Sequence, residues 1–456
     1  MSNRRDFIKK SALGTASIAI GGMGLSPKTY ASVIGANDRI TVAVVGIRGQ
    51  GGTHINSFCG LKESKNVRLK TLCDADEQYF APKVKIVTDM TGEAPTTVWD
   101  MRRVFDDKEI DAMSFAIPNH WHGLATIWAC QAGKNVYVEK PACYNLFEGR
   151  KMVEASRKYN VRVQTGFQNR SIPGVMEAMK FLHDGGIGEV YMARGLCYKP
   201  RDSFGIAKDS TPPESLHYEY WLGPAPFRPY NEKHVHYNWH WFWPTGGGDT
   251  ANQGPHQFDV ARWGLNKNEH PVSIYSTGGI YGINPAECEQ ETPNTQTSLF
   301  KYSDGKMLEF VTRGRYTNEE SSLGIRIGNM FYGTEGYMEV DGGTWKAYRK
   351  RETKPFAGSG MPGEKPADSA YLAAPGGSSH YGNFLDAIRA GNKEALHCDI
   401  LEGYMSSALP ALANISYRLG HELKFDGAKE KFVNDPQADK MLTRDYRKPY
   451  VVPAVV

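Results

Sequence analysis

Five short β-branched and aromatic runs, each bounded by turn residues and separated by helical patterns, constrain this chain more than any other feature. They are Arg39–Gly46, Val67–Asp74, Asp111–Asn119, Asn135–Val138 and Val161–Gln168. Helical segments follow at Leu124–Ala132 and Phe147–Tyr159. Runs of this length without polar alternation read as strands covered on both faces. Strands that alternate with helices pack as a doubly wound parallel sheet, an α/β fold. In such sheets ligands bind at the carboxyl ends of the strands.

The first run ends in Gly46 and continues as Ile47-Arg48-Gly49-Gln50-Gly51-Gly52-Thr53-His54 before a helix. A strand, a glycine-rich turn and a helix form a dinucleotide cradle, in which the pyrophosphate rests on the helix N-terminus. With Gly46 as first glycine and Gly51 as third, Arg48 occupies the second place, where it crowds the pyrophosphate or contacts it. The second strand ends in Asp74, 23 positions past Gly51. That is close to the ~20 expected of the carboxylate that accepts ribose hydroxyls. A carboxylate there repels a 2′-phosphate, so NAD is expected in preference to NADP. Asp76 is its nearby rival.

Two further elements fall on the same rim. Pro118-Asn119 closes the third run, with His122 in the following turn. Glu139-Lys140-Pro141 closes the fourth and points a lysine at the ligand crevice. A lysine there is a candidate acid, base or hydride-site group.

The order of glycine-rich turn, strand-end Asp74, Pro118-Asn119-x-x-His122 and Glu139-Lys140-Pro141 resembles the Gfo/Idh/MocA oxidoreductases, which include glucose–fructose oxidoreductase and inositol dehydrogenase. The resemblance implies a Rossmann domain followed by an α+β domain with a large, mostly antiparallel sheet. It implies cofactor contacts from Gly46, Arg48, Gly49, Gly51, Asp74, Pro118, Asn119, His122, Glu139 and Lys140. Boundaries of 36–165 for the NAD-binding domain and 166–456 for the substrate and oligomerisation domain are expected. The alternating segments Val190–Gly195, Ser273–Ser276, Thr297–Tyr302, Met307–Arg313 and Tyr337–Val340 suit the second sheet. Helices are expected at Met176–Leu182, His380–Arg389 and Ile400–Arg418, and a loop at 354–377.

In the family, a helix carries an Asp and, four residues later, a His that faces the nicotinamide. Here Asn252 and His256 hold those places, on one helical face. Asn252 departs from the pattern, because an amide neither gives nor takes a proton. The burden of proton transfer moves to His256, Lys140 or Asp249. The connector Tyr218–Trp243 is unusually aromatic. Its rings either stack on sugar faces or form a satellite core. Arg201, Tyr237, His240 and Asp249 are candidate substrate contacts. His234, His236 and His240 have a spacing compatible with metal, but nothing nearby completes a site and no metal is expected.

The opening Ser2–Lys10 carries twin arginines and lysines, followed by an uncharged stretch that ends near Ala31. This reads as a twin-arginine export signal over residues 1–31, with the export machinery as partner and the periplasm as destination. With 54 basic and 50 acidic residues, the net charge of +4 does not argue for nucleic acid. The seven cysteines form no CxxC pair, so neither a zinc knuckle nor a disulfide scaffold is indicated.

The expected activity is hydride transfer at a hydroxyl-bearing carbon of a sugar, glycoside or polyol. An exported enzyme would have to keep its NAD bound between turnovers. Two other readings stand beside it: a glycosidase that works by transient oxidation and elimination, and a sugar-binding protein with a dead cofactor site. A homo-oligomer is expected from the family.

Overall fold

The computed structural model describes residues 38–315, 324–359 and 379–456. The twin-arginine segment and most of the 354–377 loop lie outside the described residues. Six parallel strands form the first sheet in the order β3-β2-β1-β4-β5-β6. They are β1 (Ile40–Val45), β2 (Val67–Cys73), β3 (Thr96–Val98), β4 (Ala112–Phe115), β5 (Asn135–Val138) and β6 (Val163–Thr165). This order reverses direction between β1 and β4, which opens the ligand crevice there. Every residue of β1 and β4 is buried, as strands under two helical layers require. Strand β3 was not anticipated. It is three residues long and lies at the edge, too short to show a period.

The second sheet has ten strands in the order β14-β13-β12-β11-β7-β10-β9-β8-β15-β16. Its members are β7 (Val190–Cys197), β8 (Ser273–Gly279), β9 (Thr295–Lys301), β10 (Met307–Arg313), β11 (Ile327–Gly333), β12 (Gly336–Asp341), β13 (Thr344–Arg349), β14 (Ala357–Gly358), β15 (Leu423–Asp426) and β16 (Lys431–Phe432). Strands β7 and β10 pair in parallel, and the remaining pairs are antiparallel.

The helix Gly254–Gly264 lies across β7, β10 and β11. Phe258 packs on the Phe310 ring with centroids 4.4 Å apart. The helix Ile400–Leu419 covers this helix and β8. One apolar cluster joins Val138 and Val163 of the first sheet to Phe258, Phe310 and Leu409 of the second half. The two halves therefore share a core. The chain also crosses back: Tyr381, Phe384 and Leu385 of the helix His380–Ala390 pack with Val42, Val44 and Phe58. Tyr381 stacks on Tyr137 at 4.7 Å. This helix covers the first sheet although it lies far along the chain.

Candidate active site

A cavity of about 1070 Å³ opens where β1, β2, β4 and β5 end and the residues 252–256 approach from the second half. That is at the upper end of the roughly 300–1,000 Å³ typical of ligand pockets.

The turn after β1 forms one end. Gly46 has φ +78°, and a Cβ there would lie 2.4 Å from the carbonyl oxygen of Ala116. A Cβ on Gly51 would lie 1.8 Å from the carbonyl oxygen of Gly46. Gly51 thus lets the helix Gly49–Gly60 sit directly on the turn, and it does not itself line the cavity. Gly46, Arg48, Gly49, Gln50 and Thr53 do line it. The exposed Arg48 stands just before the helix, its guanidinium 5.7 Å from the centre of the Tyr79 ring.

Asp74 lines the same end, and its carboxylate accepts hydrogen bonds from the Ile47 N–H (2.8 Å) and the Asp76 N–H (3.0 Å). Enclosure by the cavity walls outweighs these bonds and raises its pKa to about 6. Asp76, the rival, is 1% exposed and faces away, with His236 at 3.1 Å and a 2.8 Å bond from the Ser215 hydroxyl. The dinucleotide cradle is therefore complete: a glycine turn on a helix N-terminus, and an acid one strand over.

Glu139 organises the other end. Its Oε1 accepts from Gln50 Nε2 (3.1 Å), Gln168 Nε2 (2.8 Å) and His54 Nε2 (3.1 Å). The other nitrogen of His54 lies 2.7 Å from the Ser114 hydroxyl. Burial alone would raise the Glu139 carboxyl, but the His54 bond and the neighbouring cations hold it at about 2.

Lys140 lines the cavity, and its Nζ donates to the main-chain carbonyl of Asn252 at 2.8 Å. Burial lowers its pKa below the ordinary lysine value, against the pull of Glu139. His256 is 6% exposed and lines the cavity beside it. Burial, with Lys140 next, pushes its imidazole down to about 3, so it is neutral at ordinary pH. Asn119, Asn252, Gln253 and Gln168 complete this wall, and Pro118 leads into it. Asn252 and His256 sit on two short helices, Gly248–Asn252 and Gly254–Gly264, rather than on one continuous helix.

Several expected contacts lie behind the wall instead. His122 does not line the cavity. Its ring nitrogens lie 2.6 and 2.8 Å from the carbonyls of Pro141 and Ile117, tying the ends of β4 and β5 together. Arg201 and Asp249 form a buried two-point pair, with Nε–Oδ2 at 2.9 Å and Nη2–Oδ1 at 2.7 Å. His240 is 1% exposed and lies against the Tyr237 carbonyl. These three are corrected from substrate contacts to supports of the wall. Pairing with Asp249 neutralises Arg201, and Arg201 Nη1 donates to the hydroxyl of Tyr237 at 2.8 Å. Tyr237 does line the cavity.

The aromatic connector divides. Tyr220, Trp221, Tyr237 and Trp239 face the cavity, and Trp241 and Phe242 are buried elsewhere. The three connector histidines have separate partners, Glu289, Asp76 and the Tyr237 carbonyl. No group of three or more metal-binding side chains is poised together among the described residues. All seven cysteines are free and buried.

Gln50, Gln168, Lys199 and Arg326 line the cavity without having been anticipated. Gln168 and Lys199 each lie just past a strand end, which was the one sequence signal available. His54 and Ser114, which fix Glu139, carried no signal.

Comparison with known proteins agrees with this construction. Residues 40–167 match the oxidoreductase family's NAD-binding Rossmann fold. Residues 204–320 and 362–452 match the family's C-terminal alpha/beta domain. A glycosyl hydrolase family 109 protein of Shewanella pealeana is 25% identical over 172 residues, 34% of this chain and 37% of that protein. Levoglucosan dehydrogenase of Pseudarthrobacter phenanthrenivorans is 34% identical over 96 residues, 21% of this chain and 25% of that protein. The matched segments thus span only about a third or less of these relatives. A solved structure of levoglucosan dehydrogenase with NADH and levoglucosan superposes with a TM-score of 0.64 at 17% identity, over 85% of this chain and 100% of that one. That likeness establishes the fold. With both domains matched and the cradle, lysine and histidine in place, the chain belongs to the Gfo/Idh/MocA oxidoreductase family.

Proposed function

We propose that the protein is an NAD-dependent oxidoreductase that moves a hydride at a hydroxyl-bearing carbon of a sugar, glycoside or polyol. The observation that carries this reading is the meeting, in one cavity, of Asp74 at one end with Lys140, Asn252 and His256 at the other.

The residues present fit a dinucleotide. The Gly46–Gly49 turn would hold the pyrophosphate and Asp74 the adenosine ribose. Asn119 lines the wall where the nicotinamide carboxamide would lie. Bound there, the nicotinamide supplies the hydride acceptor. Asp74 supports NAD over NADP, since its carboxylate stands where a 2′-phosphate would sit.

At the reacting end, the neutral His256 accepts the hydroxyl proton at an imidazole nitrogen. Lys140 places a cation beside the oxygen as its negative charge develops, which lowers the barrier electrostatically. Glu139, ionised and fixed by three donors, keeps the Lys140 main chain in place through a 3.3 Å bond from its N–H. The aromatic faces of Trp221 and Trp239 exclude water and suit the apolar face of a sugar ring.

The connector supports retention of the cofactor. It is pinned to the rim beyond β2 by the His236–Asp76 contact and by the bond between His217 and Glu77 (2.7 Å). His217 also stacks on Trp99 at 4.0 Å. Slow exchange suits a protein exported to the periplasm with cofactor already loaded, the destination we propose from the twin-arginine segment.

The similarity to a family 109 glycosyl hydrolase favours a second reading, in which the same hydride is returned and a glycosidic bond is hydrolysed. Denaturing the natively exported protein and weighing the released ligand tests both. About one NAD(H) per chain is expected. Incubation with glycosides then separates them: accumulating NADH marks net oxidation, and aglycone release without NADH marks the redox-neutral cycle. A protein that neither carries nor takes up NAD would overturn the proposal.

A further inference from the structure

Lys199 lies two residues beyond β7 and lines the cavity. It is half-buried, and its ammonium makes no hydrogen bond or ion pair with any described residue. Its neighbours are otherwise engaged. Arg201 is neutralised by Asp249, and Lys140 donates to the Asn252 carbonyl. Glu139 is saturated by His54, Gln50 and Gln168. Asp341 also lines the cavity but makes no ion pair with Lys199. A partly desolvated ammonium without a counter-charge is costly. In a cleft with low-dielectric walls, it also concentrates anions.

The location of Lys199 separates the substrate from the cofactor as the source of that anion. Lys199 follows β7, the strand on which the helix Gly254–Gly264 with His256 packs, so it stands at the reacting end. The phosphate cradle at Gly46–Gly49 is at the other end. The Tyr198 N–H donates to the Arg326 carbonyl at 2.7 Å, which sets Lys199 and Arg326 on adjoining strand ends. Arg326 lines the cavity too. Lys140, Lys199 and Arg326 therefore line the substrate's half of the cavity together with the acids Glu139 and Asp341, and of these Glu139 is already bound by three donors.

We infer that the substrate is an anionic sugar, bearing a carboxylate or a sulfate ester that Lys199 holds while its hydroxyl-bearing carbon faces Lys140 and His256. The inference rests on the oxidoreductase reading above and adds the charge of its substrate.

The test uses NAD-loaded full-length protein and three probes: methyl β-D-glucoside, methyl β-D-glucuronide and methyl β-D-glucoside 6-sulfate. Binding is followed by calorimetry at low and high salt. At least one anionic probe should bind roughly 10- to 100-fold tighter than the neutral one, the range of one charge-assisted hydrogen bond. The preference should shrink with salt. Whichever anionic probe binds tighter distinguishes carboxylate from sulfate. Lys199→Gln should abolish the preference and Lys199→Arg should keep it, with the melting temperature of each variant checking the fold. Equal or tighter binding of the neutral glucoside, silence of both anionic probes, or a folded Lys199→Gln that keeps the preference would each overturn the inference. All three leave the oxidoreductase reading standing, because NAD content is measured separately.

Discussion

Lys140 Nζ donates to the carbonyl oxygen of Asn252, 2.8 Å away, and not to its side chain. That carbonyl is free for a structural reason. In a continuous helix it would accept from the N–H of His256, but that N–H turns to the Gln253 carbonyl at 3.2 Å. The helix breaks between Asn252 and Gly254, and helix ends leave carbonyls that attract cations. Lys140 is therefore anchored whichever side chain stands at 252. The departure from the family's acid does not unseat it.

Replacing Lys140 by Met should lower kcat by about 10²- to 10⁴-fold, the range of one well-placed charge or acid–base group. NAD content should stay near that of the parent, because the cradle is at the other end of the cavity. Single-turnover rates and cofactor mass check this. A rate within twofold of the parent would remove Lys140 from the chemistry.

Burial holds His256 at about 3, far below its ordinary 6.5. A group whose pKa is depressed this far is already neutral across the usual titration range of histidine. The pH profile of kcat/KM should therefore show no acid limb centred near 6.5. Lys140 is also depressed, so its cation, and the rate, should be lost at a pH below the ordinary lysine value of 10.5. His256→Asn should reduce kcat with NAD binding retained.

Asp74 is raised to about 6. Above that pH the carboxylate is charged and, on the proposed reading, would accept ribose hydroxyls, and below it the group is neutral. NAD affinity, measured by fluorescence titration of cofactor-stripped protein, should weaken as pH falls through about 6. Asp74→Ser should narrow the preference for NAD over NADP by roughly tenfold, because a charge-assisted bond and a repulsion are both removed.

His236 pairs with the buried Asp76 at 3.1 Å and fastens the connector over the nucleotide rim. His236→Ala should speed NAD release, seen as a larger dissociation rate in a chase with excess cofactor, while the chemical step keeps its rate. Unchanged release would show that the connector is not what retains the cofactor.

Arg170 and Asp259 form a buried pair, with Nε–Oδ2 at 2.8 Å and Nη2–Oδ1 at 2.9 Å. Removing one partner of such a pair leaves a lone buried charge and costs about 3–5 kcal/mol. Arg170→Met should show this loss in urea unfolding at neutral pH. The Asp259 carboxyl is depressed by Arg170 and its hydrogen bonds against the opposing effect of burial. Its contribution is thus present above about 3.9, the unfolded value, and disappears as pH falls through the lower folded value.

The first sheet was legible because its signals are local. Apolar runs, the Gly46 turn, Asp74 at a strand end and the Glu139-Lys140-Pro141 corner each declare themselves within a few residues. Asp74, Asn119, Lys140 and His256 all reached the cavity. His122 and Gly51 did not line it, although both stand in the motif. Their roles are to hold a loop and to admit a helix, and spacing alone does not distinguish packing from contact.

In the second half, local signals were weaker. The helical pattern at His380 was plain, but its docking onto Val42 and Phe58 is a contact over more than three hundred positions. Strands β11 and β13 were not anticipated, because their place is set by pairing with β7 and β12 rather than by their own period.

The sequence by itself determined the Rossmann half, its glycine turn and the strand-end positions of Asp74 and Lys140, since turn chemistry and strand burial are written in neighbouring residues. Only the tertiary structure decided which polar side chains of the second half face the cavity. Arg201 met Asp249 and was withdrawn into the wall, and Lys199 met no acid among the described residues and stayed in the cavity. Both are basic residues just past β7, and the difference between them is the position of Asp249, supplied by a helix 48 residues downstream. Whether a charge is spent within the fold or left for a ligand depends on which partner the packing brings to it.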